Sequence, residues 1–191
     1  MSNDHRSYAT ARGQLIAYLQ TQGYKAHPNE VFCPSAEHCW VDVAAVKGQD
    51  YWAFEYKSRN DSIRRGFDQC RSYANGFNYV VLVADRHRVT SSPYFSSFRA
   101  EGFGVWRHDK LGFHTILQPK RRTTVRVVKL AVERQFRSLP NSNETRVTFL
   151  SRWLDEPSYA EHQEAFNGRK EPARPETRLF PVKRHSTWLF G

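Results

Sequence analysis

The order of elements legible in the chain predicts an α/β fold: a central mixed β-sheet flanked by helices, with a helical C-terminal extension. Three observations carry that expectation. Helix and strand patterns alternate as helix, three strands, helix, strand, short helix, strand, strand. The run Tyr79-Val80-Val81-Leu82-Val83 is apolar at every position, so the strand it predicts is buried on both faces and needs a layer on each side. The stretch Trp40-Val41-Asp42-Val43-Ala44-Ala45-Val46, a turn at Lys47-Gly48-Gln49-Asp50, and Tyr51-Trp52-Ala53-Phe54-Glu55-Tyr56-Lys57-Ser58 reads as a hairpin.

Each element has a local reason. Residues 7–22 place Tyr8, Ala11, Leu15, Ile16 and Leu19 at helical spacing, and Gly23 supplies the stop. Residues 24–33 are extended but broken around Pro28, and a turn at Pro34-Ser35-Ala36-Glu37 leads into the hairpin, which predicts a meander of three strands. Asp61 or Ser62 caps a second helix running to about Asn75, with Ile63, Phe67, Cys70 or Arg71, and Tyr73-Ala74 as its apolar stripe despite Gly66. The buried strand spans 77–84. A short helix or irregular turn at 94–101, a strand at 102–107 and a turn at Asp109-Lys110-Leu111-Gly112 into 113–117 complete the core. The basic run Pro119-Lys120-Arg121-Arg122 is read as the end of that core, giving a domain at 1–118. A helical extension at 119–168 then carries helices at 125–136, 144–154 and 159–166, and a basic, proline-containing tail occupies 169–191.

Composition narrows the function. The 191 residues carry 29 Lys and Arg against 19 Asp and Glu, a net charge of +10 that makes nucleic acid the leading partner, with a merely solvated basic surface as the alternative. No run approaches the ~18 apolar residues of a membrane span and no basic-then-apolar segment opens the chain, so an intracellular setting is expected, cytoplasmic or nucleoid-associated, with no membrane. Cys33, Cys39 and Cys70 are odd in number and widely spaced, which argues against a disulfide framework. His38 beside Cys33 and Cys39 lacks a four-ligand zinc spacing.

The chemistry concentrates on the hairpin. Asp42 and Glu55 interrupt apolar strands, and Lys57, two places beyond Glu55, shares its face. Burying two carboxylates and an ammonium together is costly unless they pair or hold a cation, so the trio marks either a candidate site or a salt-bridge cluster at a strand end.

These residues resemble the PD-(D/E)xK nuclease superfamily, which includes restriction endonucleases and archaeal Holliday-junction resolvases. Asp42, the Glu55-Tyr56-Lys57 triplet, and Gln69 followed by Tyr73 on the next helix carry the resemblance, over about residues 7–118. It implies a restriction endonuclease-like core and a hydrolase: a Mg²⁺- or Mn²⁺-dependent endonuclease cutting DNA phosphodiesters to leave a 5′-phosphate. Asp42, Glu55 and the Tyr56 carbonyl would be metal ligands. Lys57 would orient the attacking water and stabilise charge on the phosphate, and Gln69 would hold Lys57 or the water. The resolvases carry a Glu on the opening helix, whereas no carboxylate occurs here between Asp4 and Glu30, which makes Glu30 the candidate for the missing ligand ahead of Glu37.

Arg59, Arg64, Arg65 and Arg71 follow the triplet and are the expected phosphate contacts, with solvated helix arginines as the alternative. Arg86, His87 and Arg88 add charge after the buried strand, while Trp40, Tyr51 and Trp52 read as sheet-face residues rather than base-stacking platforms. A homodimer is implied by the way resolvases act. Two other classes stay open: a catalytically inactive nucleic-acid-binding module retaining the fold, and an assembly subunit whose C-terminal region binds a protein partner through Trp153, Trp188, Leu189 and Phe190.

Overall fold

The apolar run from Tyr79 to Ala84 makes up all but the last residue of the β6 strand, Tyr79–Asp85, and lies inside the sheet, where Val80, Val81, Leu82, Val83 and Ala84 are all buried. In the computed structural model, which describes residues 3–34, 39–85 and 89–137, the chain divides into two compact units, Met1–Thr148 and Phe149–Gly191. The second unit lies outside the described residues, as do Arg86, His87, Arg88, the helices expected at 144–154 and 159–166, and the tail.

The fold is mixed α/β, a multi-stranded sheet flanked by helices. Its order is α1 (Asn3–Thr21), β1 (Lys25–Ala26), β2 (Val31–Cys33), β3 (Cys39–Val41), β4 (Val43–Lys47), β5 (Asp50–Lys57), α2 (Ile63–Tyr73) and β6. There follow α3 (Phe95–Glu101), β7 (Gly104–Asp109), β8 (Gly112–Leu117) and α4 (Arg126–Arg137). Six strands form the main sheet in the order β1-β4-β5-β6-β7-β8, with β5, β6 and β7 parallel and the outer pairs antiparallel. Parallel neighbours need crossovers, which α2 and α3 supply.

Strand periodicity sorts the side chains onto two faces. Ala11, Leu15 and Leu19 of α1 pack in one cluster with Val43, Ala45, Phe54, Tyr56, Val81, Val83 and Trp106. The alternate positions, including Glu55, Lys57 and Leu82, face the opposite way, where α2 approaches at Gly66. No helix among the described residues is long and apolar enough to cross a membrane.

Two sequence expectations are corrected. The segment 40–46 is not one strand: it bends at Asp42, so β3 ends at Val41 and β4 begins at Val43. The three-strand meander is likewise replaced. β2 and β3 pair with each other in a separate two-stranded sheet, while β1 joins the edge of the main sheet beside β4. Local alternation cannot reveal this, because Val41 and Val43 are both buried whether or not the chain turns between them.

The segment past residue 118 is tied to the sheet. Within the basic run, Lys120 N donates to Gly102 O and Arg122 N to Asn78 O. The helix expected at 125–136 is α4, which packs on β2. Gln135 accepts from Phe32 N at 2.8 Å and donates to Phe32 O at 2.8 Å, so its amide stands in for a neighbouring strand. Gly76 makes room for the helix, since a Cβ there would lie 2.9 Å from Val128 Cγ1.

Candidate active site

The turn between β5 and α2 sets the approach of α2. Ser58 N donates to Asp61 Oδ2, and Ser62, the residue that caps the helix, accepts from Arg65 N at 3.3 Å. Ile63, Gly66, Cys70 and Tyr73 then form the buried stripe of α2, which lies over Glu55 and Lys57. Gly66 is required there: a Cβ would sit 2.8 Å from Leu82 Cδ1 and 3.1 Å from both Cγ and Cε of Lys57. The glycine lets the Lys57 stem pass beneath the helix.

Across the hairpin, Val43 pairs with Phe54, so Asp42 stands one step further on, opposite Glu55. Asp42 Oδ2 accepts from Tyr56 N at 2.8 Å. A strand residue presents its N–H and C=O to the same side, so the Tyr56 carbonyl also faces the Asp42 side of β5. Lys57 Nζ lies 2.6 Å from Glu55 Oε1 and 2.7 Å from Gln69 Oε1. The Tyr73 hydroxyl lies 2.6 Å from Glu55 Oε2 and 2.8 Å from the Trp40 carbonyl oxygen. The structure thus gathers Asp42, Glu55, Lys57, Gln69 and Tyr73.

Glu55 is 1% exposed and Lys57 6%. Burial, then the Asp42 carboxylate, push the Glu55 carboxyl from 4.5 up to about 8, only partly offset by Lys57 and by the Lys57 and Tyr73 hydrogen bonds. Burial and the nearby Glu55 likewise raise the Tyr73 hydroxyl, which stays protonated. Once Glu55 gives up its proton, two carboxylates against one ammonium leave the cluster with an excess of negative charge. A hard divalent cation would balance it, and the donors fit one: the carboxylates of Asp42 and Glu55 and the strand carbonyl of Tyr56 are all oxygen.

Glu30 is half-buried just before β2, and the charges that shift Glu55 are Asp42 and Lys57. Among the described residues no three His, Cys, Asp or Glu side chains gather to hold a metal, so Asp42 and Glu55 stand as a pair. Arg59, Arg64, Arg65 and Arg71 are exposed on or before α2. Trp40, Tyr51 and Trp52 are half-buried, and Trp52 stacks on Tyr79 at 4.0 Å between centroids. Cys33 and Cys39 face each other across β2 and β3 and are not joined in a disulfide.

Sequence reasoning missed Arg12. From α1 it donates Nε to the Asp42 carbonyl at 2.8 Å and Nη2 to the Pro28 carbonyl at 2.9 Å. Its position in the chain, between Ala11 and Leu15 of the apolar helix stripe, carries no signal of that contact.

No protein-family model matches the chain, and no curated protein matches it. The solved structure of the SPO1766 protein of unknown function from Silicibacter pomeroyi is similar with a TM-score of 0.48 and 16% identity, over 84% of this chain and 92% of that one. That likeness is too loose to carry function from one chain to the other.

Proposed function

We propose that the chain is a metal-dependent DNA endonuclease with a restriction endonuclease-like core of the PD-(D/E)xK type. The observation that carries the reading is half-buried Asp42 facing buried Glu55 across the hairpin, with Lys57 held 2.6 Å from Glu55. Mg²⁺ or Mn²⁺ bound there would neutralise charge on the phosphate and lower the pKa of an attacking water. Asp42, Glu55 and the Tyr56 carbonyl would hold it. Lys57, pinned by Gln69, places a fixed positive charge where negative charge grows on the phosphoryl oxygens as water attacks phosphorus and the 3′-oxygen departs. Tyr73 orients the Glu55 carboxyl from the other side. The exposed arginines Arg59, Arg64, Arg65 and Arg71 would contact phosphates flanking the scissile bond, and the net charge of +10 would steer DNA to the protein.

One observation favours a second reading, a nucleic-acid-binding module without catalysis: Lys57 and Tyr73 already engage both oxygens of Glu55. Incubation with Mg²⁺ or Mn²⁺ and labelled linear, nicked, flap, single-stranded and four-way DNAs separates the two. Cleavage of any of them by wild-type protein, lost in Asp42→Ala, supports the nuclease. Binding without cleavage under both metals supports the module. Size measurement with and without DNA tests a homodimer, and a protein partner would engage the C-terminal region beyond the described residues.

A further inference from the structure

The chain passes between the two sheets twice, from β1 to β2 through Pro28 and from β3 to β4 through Asp42. One guanidinium holds both passages, because Arg12 donates to the carbonyls of Asp42 and Pro28 at 2.8 and 2.9 Å. Both carbonyls belong to residues outside the strands. The two donors of a planar fork fix a direction as well as a distance, which a single ammonium cannot do.

We infer that Arg12 is a positioning residue for the carboxylate pair, setting divalent-cation affinity by fixing the Asp42 bend. The inference rests on the reading of Asp42 and Glu55 as cation ligands. Asp42 is held at two points: its carbonyl by Arg12, and its carboxylate Oδ2 by the Tyr56 N–H at 2.8 Å. Without the first hold, the bend between two separate sheets regains backbone freedom, and the carboxylate must be ordered at the moment a cation binds. The anchor itself is rigid. Its neighbour Ala11 and the residues Leu15 and Leu19 of the same helix are buried against the sheet, so the guanidinium is presented from a packed element. Arg12 does not touch the carboxylate, and its influence passes through the backbone.

The test is Mn²⁺ binding by the full chain, followed by electron paramagnetic resonance, for wild type, Asp42→Asn, Arg12→Met and Arg12→Lys, with thermal unfolding of each. Removing such an outer contact typically costs about 10–100-fold in metal affinity, so Arg12→Met should bind Mn²⁺ more weakly by that factor at unchanged stoichiometry. Arg12→Lys, which reaches one carbonyl at a time, should recover part of the loss. Wild-type affinity in a folded Arg12→Met, or in Arg12→Lys should Arg12→Met not fold, overturns the positioning role, even if Tm falls. Wild-type uptake that survives in Asp42→Asn, or no uptake at all, removes the carboxylate reading itself and the positioning role with it.

Discussion

Tyr73 sits between two acceptors, its hydroxyl 2.6 Å from Glu55 Oε2 and 2.8 Å from the Trp40 carbonyl oxygen. A phenol carries one hydrogen and can donate to only one of them. Both contacts are satisfied together when Glu55 is protonated, donating to Tyr73 while Tyr73 donates to Trp40. That agrees with the Glu55 carboxyl being pushed up to about 8. The hydroxyl thereby links Glu55 on the main sheet to β3 of the smaller one, next to the Asp42 bend.

Tyr73→Phe keeps the ring and deletes the link. With the Trp40 carbonyl losing its donor and the buried Glu55 carboxyl losing its acceptor, urea unfolding should show a loss of roughly 1–3 kcal/mol. Unchanged stability would mean that water takes the place of the hydroxyl.

Cation uptake should depend on pH. Below pH about 8 binding must displace the Glu55 proton, so apparent Mn²⁺ affinity should rise by up to about tenfold per pH unit from 6 to 8 and level off above. The same shift acts on folding without metal. Glu55 titrates near 4.5 when unfolded and near 8 when folded, so the folded state holds more protons between those values. Its contribution to stability is complete below 4.5 and is lost as pH rises through about 8. Stability of wild type relative to Glu55→Gln should therefore fall from pH 5 to 9, and a flat difference would show a Glu55 with an ordinary pKa.

Gly66→Ala tests the fit of α2 over Lys57. The added methyl meets Leu82 Cδ1 at 2.8 Å and the Lys57 stem at 3.1 Å, an overpacking that costs about 1–3 kcal/mol and displaces the ammonium. On the nuclease reading, kcat should drop more than Mn²⁺ affinity, because Lys57 is not a ligand. Equal losses in both would place the damage elsewhere in the site.

Substitutions at the carboxylates and the lysine should separate by role. Asp42→Ala and Glu55→Ala should abolish metal-dependent cleavage while DNA binding persists, since the cation that activates water is lost. Lys57→Ala should lower turnover by about 10²–10³-fold with metal affinity nearly unchanged, as for loss of one fixed transition-state contact. Turnover at the wild-type rate in Lys57→Ala would leave that residue a structural cation.

For DNA contact, Arg64→Ala and Arg65→Ala should each reduce the slope of log affinity against log salt by about one if each neutralises a phosphate. Gel-shift titrations at several salt concentrations read this directly, and an unaltered slope would mark these arginines as solvated.

Much of the fold was legible because its signals are local. The stripe of Ala11, Leu15 and Leu19 makes α1, the uninterrupted apolar run makes β6, and Ser62 caps α2 through a contact three residues away. The candidate trio was legible too, since charge inside apolar strands stands out and Glu55 and Lys57 share a face by alternation alone. Contacts distant in sequence decided the rest. Arg12 and Tyr73 act at Asp42 and Trp40 across 30 and 33 positions and flank the bend that splits an apparent single strand. Gln135 completes β2 across 103 positions and joins α4 to the same unit. Nothing in the spacing of Glu55 and Lys57 indicates that Glu55 holds its proton to about pH 8. That property arises from burial and from Asp42 across the hairpin, so it exists only once the tertiary structure has excluded water.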